Sequence, residues 1–127
     1  MKPMRIGSVQ LKIMRVLWNR GEATARTISE SMSEETPIAH STVQTLLRQL
    51  ESKGAVVHEK KDRTFVFRAL VKEDEVSRSA AQDLLDRVFR GSVSGLVAHL
   101  LDSEEVSEAE MKLLRQVIES KSKGDLK

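Results

Sequence analysis

Apolar residues recur at helical spacing in six stretches of this chain, and the series is broken once, after the third, by two short runs of β-branched and aromatic residues. The first stretch spans about Ser8 to Arg20, with Ser8 placed to cap it, Val9, Ile13, Val16 and Leu17 facing inward, and Gly21 ending it. Trp18, the only tryptophan, lies beside Met14 and Leu17 on the apolar side and reads as a core anchor. Thr24 opens a second helix to about Glu34, along which Ala25, Ile28 and Met32 form a thin stripe able to rest across a neighbour. Pro37 then fixes a break before the third stretch.

In that third stretch Val43, Leu46, Leu47 and Leu50 fall at i, i+3, i+4 and i+7, which leaves Ser41, Thr42, Gln44, Thr45 and Arg48 on the opposite face. Side chains of this kind read base edges: Gln pairs two-pronged with adenine, Arg with guanine, and a Thr methyl meets thymine. Gly54 stops the helix as a left-handed cap, and AVVHE and TFVFR then flank Lys60-Lys61-Asp62-Arg63 as a hairpin with a basic tip. A polar helix face is by default a solvated one, and a basic turn by default protects a strand edge. Their succession is what points to double-stranded DNA. Two helices, a break, a third helix and a hairpin predict a winged helix-turn-helix, in which the third helix enters the major groove and the wing reaches the backbone. Gln44, Thr45 and Arg48 are expected to read bases, Ser41 to meet a phosphate, and Thr42 to share both roles, with Lys60, Lys61 and Arg63 on phosphates.

After the wing, a helical pattern from Lys72 to Arg90 carries Val76, Ala80, Leu84, Leu85, Val88 and Phe89, and Gly91 closes it. The segment SVSGLVAHLLD presents Val93, Leu96, Val97, Leu100 and Leu101, and a capping-box pattern from Ser107 opens a last helix with Met111, Leu114, Val117 and Ile118. Three helices in fewer than about 60 residues hold more apolar surface than they can hide in themselves. The expected architecture is therefore mainly α with a small β wing: a DNA-binding domain over 1–70 and a helical dimerisation domain over 71–127. Its interface would use Val76, Leu84, Leu85, Val88, Phe89, Leu96, Val97, Leu100, Leu101, Leu114, Val117 and Ile118. A homodimer also supplies two reading helices for half-sites about 10 base pairs apart on a palindromic operator.

Charge sharpens this division. The net +2 splits at residue 70 into +5, from 12 Lys/Arg against 7 Asp/Glu, and −3, from 9 against 12. The absence of Cys excludes disulfides, thiolate metal sites and cysteine nucleophiles. No apolar run approaches the roughly 20 residues of a membrane span, and MKPMRIGSVQ lacks the apolar core of a secretory signal. A cytoplasmic location without membrane insertion is expected. There is no GxGxxG, GxxxxGK[ST] or GxSxG, and the acid pairs Glu34-Glu35 and Glu104-Glu105 adjoin helix ends, where solvated charge is the default. Neither enzyme activity nor a cofactor is expected. His40, His58 and His99 belong to no HExxH motif, so no metal site is expected; His40 reads as an exposed turn residue or a phosphate contact. Two other classes stay open: a winged helix that binds protein, and a ligand-gated regulator whose tail would have three Phe and one Trp to line a pocket.

Four segments, GSVQLKIMRVLW, AHSTVQTLLRQLESKG, the wing ending in FVFRALV, and LLDRVFRGSVSGLVAHLLDSEEVSEAEMKLLRQVI, resemble the penicillinase-repressor family from about Ile6 to Glu119. The resemblance implies a homodimeric transcriptional repressor with an N-terminal winged helix on a palindromic operator and a C-terminal domain of interlocked helices. Copper-responsive members of that family use a C-terminal cysteine hook, which this chain lacks. Members that respond to β-lactams are cut by a partner membrane metalloprotease in the segment resembling GLVAHLLDSEE, at an Asn-Phe bond. The corresponding pair here is His99-Leu100, which departs from that pattern. Members often carry Tyr before the paired Thr residues of the reading helix, where this chain has His40-Ser41-Thr42.

Overall fold

The fold is given by a computed structural model that describes residues 5–32 and 36–124. The described residues form six helices and a three-stranded antiparallel sheet. In chain order these are α1 (Ser8–Arg20), β1 (Ala23–Thr24), α2 (Ala25–Met32), α3 (His40–Ser52), β2 (Val56–Lys61), β3 (Thr64–Ala69), α4 (Glu73–Val88), α5 (Val93–Ser103) and α6 (Glu108–Gly124). The chain divides into two compact units, Met1–Asp83 and Leu84–Lys127, so the break in packing falls inside α4 and the break in charge falls before it. No helix is long and apolar enough to cross a membrane among the described residues.

In the first unit the predicted stripes meet in one core. Ile13, Met14 and Leu17 of α1, Ile28 of α2, and Val43, Leu47 and Leu50 of α3 are at most 1% exposed, with Val56 of β2 beside them. Leu46 is only half-buried, at the rim of this core. Trp18 is a partly buried anchor: its indole N–H donates to the Val71 carbonyl at 2.8 Å and ties the segment after the wing back to α1.

The caps hold with one correction. Gly7, not Ser8, is the N-cap of α1, because Gln10 turns inward and its Oε1 accepts the Gly7 N–H at 2.9 Å. That same oxygen accepts from Lys53 Nζ at 2.8 Å, and Gln10 Nε2 donates to Gln49 Oε1 at 2.9 Å, so a buried amide joins the start of α1 to the end of α3. Thr24 Oγ1 accepts the Thr27 N–H and caps α2. The predicted end of α2 near Glu34, and the Glu34-Glu35 pair, lie outside the described residues. At the end of α3, Gly54 has φ +83°, the Ala55 N–H reaches the Leu50 carbonyl and the Gly54 N–H reaches that of Glu51, which is a Schellman termination.

Sequence patterning did not predict β1, whose two residues are too short to show alternation. It pairs with β3 at Ala23↔Phe67 and Thr24↔Val66, giving the order β1-β3-β2. The hairpin tip is tighter than the four residues expected. β2 runs through Lys61, which pairs with Thr64, and only Asp62 and Arg63 form the turn, at φ 49° and 67°. Two consecutive positive φ values are the signature of a type I′ turn, which matches the twist of the strands.

The second unit has no buried residue between Leu84 and Lys123. Its caps are in order: Ser92 Oγ accepts the Gly95 N–H at 2.9 Å and Ser107 Oγ accepts that of Glu110 at 3.1 Å. Phe89 meets His99 edge-on at 5.8 Å between centroids. Val76, expected in an interface, is already 7% exposed within the chain, so its apolar surface is not available to a partner.

Candidate nucleic-acid interface

Helix α3 turns Val43, Leu47 and Leu50 into the core with Leu46 at its rim, which leaves the opposite face of the helix to solvent. Ser41, Thr42, Gln44, Thr45 and Arg48 are all exposed. On this face Thr45 Oγ1 donates to the Ser41 carbonyl at 3.1 Å and accepts from Arg48 Nη2 at 3.3 Å. Thr45 thus spends its hydroxyl within the helix and steers the Arg48 guanidinium along the surface.

Beside α3 lies an open groove of about 960 Å³. Helix α3 contributes His40, Gln44, Arg48 and Glu51 to its walls, and the wing contributes His58, Lys60, Arg63, Thr64, Phe65 and Phe67. Thr24, Ala25 and Arg26, at the start of α2, close the third side. The side-chain charges of this lining are four cations, Arg26, Arg48, Lys60 and Arg63, against one carboxylate, Glu51, apart from the histidines. Such a wall favours a polyanion.

Strand alternation explains which wing cations line the groove. His58 opposes Phe67 and Lys60 opposes Phe65, and directly opposed residues share a face, so these four look into the groove. Lys61 is one residue out of phase and pairs with Glu22 Oε2 at 3.3 Å. Arg68 lies 3.9 Å from Glu59 across the hairpin. The geometry thus gathers Gln44, Arg48, Lys60 and Arg63 in one place, keeps Ser41, Thr42 and Thr45 on the helix face outside the groove lining, and ties Lys61 to a carboxylate.

Sequence reasoning missed Arg26, Glu51, His58 and Phe65 as parts of this groove. Period-2 alternation in VVHEKK puts His58 on the same face as Lys60, a signal that was present in the sequence; Arg26 and Glu51 gave none before their elements were placed in space. No group of three His, Asp or Glu side chains that could hold a metal ion occurs among the described residues.

Residues 6–120 match the family described as "Penicillinase repressor". Among curated proteins, the methicillin resistance regulatory protein MecI of Mammaliicoccus sciuri is 25% identical over 120 residues, covering 94% of this chain and 98% of that protein. The penicillinase repressor of Bacillus licheniformis is 26% identical over 115 residues, 91% of this chain and 90% of that protein. The solution structure of the DNA-binding domain of the repressor BlaI is similar with a TM-score of 0.52 and 29% identity, covering 59% of this chain and 93% of that one. The Bacillus licheniformis BlaI monomeric form, solved in complex with the blaP half-operator, is similar with a TM-score of 0.50 at the same identity and coverage.

Proposed function

Because the chain belongs to the penicillinase repressor family, we propose that it is a sequence-specific DNA-binding repressor, not an enzyme, that acts as a homodimer on a palindromic operator. The observation that carries this reading is the single groove that places Gln44 and Arg48 of the reading helix beside Lys60 and Arg63 of the wing. With α3 in the major groove, Gln44 and Arg48 reach base edges, Thr45 offers its methyl, and Ser41 and Thr42 lie at the helix N-terminus, where amides meet phosphate. Lys60 and Arg63 then track the neighbouring backbone. A relative solved on a half-operator makes DNA the natural partner of the same surface here.

The second unit supplies the reason for two copies. Of the ten exposed large apolar side chains among the described residues, eight lie between Leu84 and Ile118, and burying each fully is worth roughly 1.5–3 kcal/mol. We place the interface on Leu84, Leu85, Val88 and Phe89 of α4, Leu96, Val97, Leu100 and Leu101 of α5, and Leu114, Val117 and Ile118 of α6. Relief by a membrane metalloprotease in the cytoplasm fits this arrangement. The His99–Leu100 bond lies in α5 with both side chains exposed. Cutting it would take Leu100, Leu101 and all of α6 from the dimer.

A mobility-shift titration against the DNA upstream of the gene, at two salt concentrations with random duplex as competitor, tests the reading. Tight, salt-sensitive and competitor-resistant binding is expected. Binding that random duplex abolishes would refute it and favour a winged helix that contacts protein.

A further inference from the structure

The groove holds a carboxylate where phosphates are expected. Glu51 follows Arg48 by three residues and Gln44 by seven, so it shares their face of α3, and it is the one acid of the lining among Arg26, Arg48, Lys60 and Arg63. Left alone it would repel DNA. It is not alone: His58 Nδ1 lies 2.8 Å from both Glu51 oxygens. The His58 ring in turn packs on Phe65 at 4.6 Å and on Phe67 at 5.4 Å between centroids.

We propose that Glu51 and His58 form a latch that fixes the wing against the reading helix, and so sets where Lys60 and Arg63 meet the DNA backbone. Both are positioning residues, and their role in recognition rests on the DNA-binding reading above.

The sheet shows why a latch is needed. Strand β1 pairs only with Val66 and Phe67, so the hairpin outward from Lys60↔Phe65 is a two-stranded ribbon, the kind that twists and flexes most. His58 stands at the end of that support, opposite Phe67, which is itself paired to Ala23 and only 7% exposed. The path runs from the core through Phe67 to His58, and from His58 across to Glu51 on α3. Phe65, which also packs on the ring, opposes Lys60 in the ladder, so the contact links His58 to the strand position that carries the cation. His58 and Glu51 are about one-third exposed, at 35% and 33%, and the imidazole has only two rotors, already held by two rings. Ordering it therefore costs less entropy than ordering a surface lysine would. The latch uses the tautomer in which Nδ1–H is the donor and the carboxylate the acceptor.

The test uses the full chain and a labelled duplex carrying the footprinted operator, with a random duplex alongside. Glu51→Ala is expected to weaken operator binding about 3- to 30-fold, the coupling typical of residues in direct contact, although it removes a negative charge from the groove. Glu51→Gln, which keeps an acceptor for Nδ1, should restore most of that loss. Glu51→Ala combined with His58→Ala should bind no worse than the weaker single variant. Tighter binding of Glu51→Ala to both duplexes would overturn the proposal, because the carboxylate would then act only as a repelling charge; fully additive losses would overturn it too. A second readout needs no DNA. Imidazole ¹⁵N spectra should show a protonated His58 Nδ1 whose shift moves in Glu51→Ala. A wild type that prefers no duplex would sink the DNA reading, while an unprotonated Nδ1 would sink the latch by itself.

Discussion

The two compact units spend their apolar residues in opposite ways. In the first, Ile13, Met14, Leu17, Ile28, Leu47 and Leu50 are sealed at 0–1% exposure, and the polar faces left over build a groove. In the second, Leu84, Val88, Leu100, Val117 and Ile118 stay exposed at 39–60%, and nothing from Leu84 to Lys123 is buried. The difference teaches how labour is divided within one short chain. A closed core can hold a surface rigid, whereas an open set of helices, on the dimer proposed above, is completed by a second copy, and its stability would then depend on protomer concentration.

The contrast can be broken most severely at the core. Leu47→Ala should cost about 2–5 kcal/mol, because a fully buried leucine leaves a cavity between α1, α2 and α3. Loss of the Trp18 fluorescence transition at a lower denaturant concentration would register it. In the tail the matching truncation, Ile118→Ala, should leave that transition in place, and Leu100→Asp or Leu114→Asp should convert dimers to monomers by sedimentation. A dimer that survives both aspartates would put the interface elsewhere.

Smaller effects sharpen the groove. Arg48→Ala or Gln44→Ala should relax preference at one base pair per half-site, at roughly 1–3 kcal/mol. Equal loss on every sequence would remove these residues from base reading. Lys60→Ala and Arg63→Gly should weaken binding to all duplexes and lower the salt slope by up to about one unit each. The glycine suits the positive φ of position 63, so the hairpin keeps its turn. Lys61→Ala should change the slope least, since its ammonium is already paired with Glu22. A larger effect at Lys61 than at Lys60 would reverse the assigned wing face.

Much of the fold was legible because burial follows period. The stripes Ala25–Ile28–Met32 and Val43–Leu47–Leu50 are buried as their spacing predicts, and Gly54 terminates α3 with the positive φ expected of it. The cap of α1 was misread because Gly7 carries no side chain to announce it, and its partner, Gln10, lies three residues on. Strand β1 escaped because two residues have no period. The groove was half legible. Gln44 and Arg48 stand out on a polar face and Lys60 and Arg63 in a basic run, but the partition of Lys60 from Lys61 needs the hairpin register. The Glu51–His58 pair joins two elements and left no local mark. The tail showed its helices and its surplus of apolar surface, while Val76 looked like the other members of its stripe until packing buried it.

The most direct test of the account compares wild type with a Leu100→Asp, Ile118→Asp double variant on duplexes carrying one half-site or the full operator. Wild type is expected to prefer the full operator strongly, because linking two reading helices makes the second contact intramolecular. The variant should bind both duplexes alike, at the weak affinity of a single groove. A variant that keeps the preference, or a wild type that shows none, would contradict the division between a self-contained reading unit and a tail that pairs it.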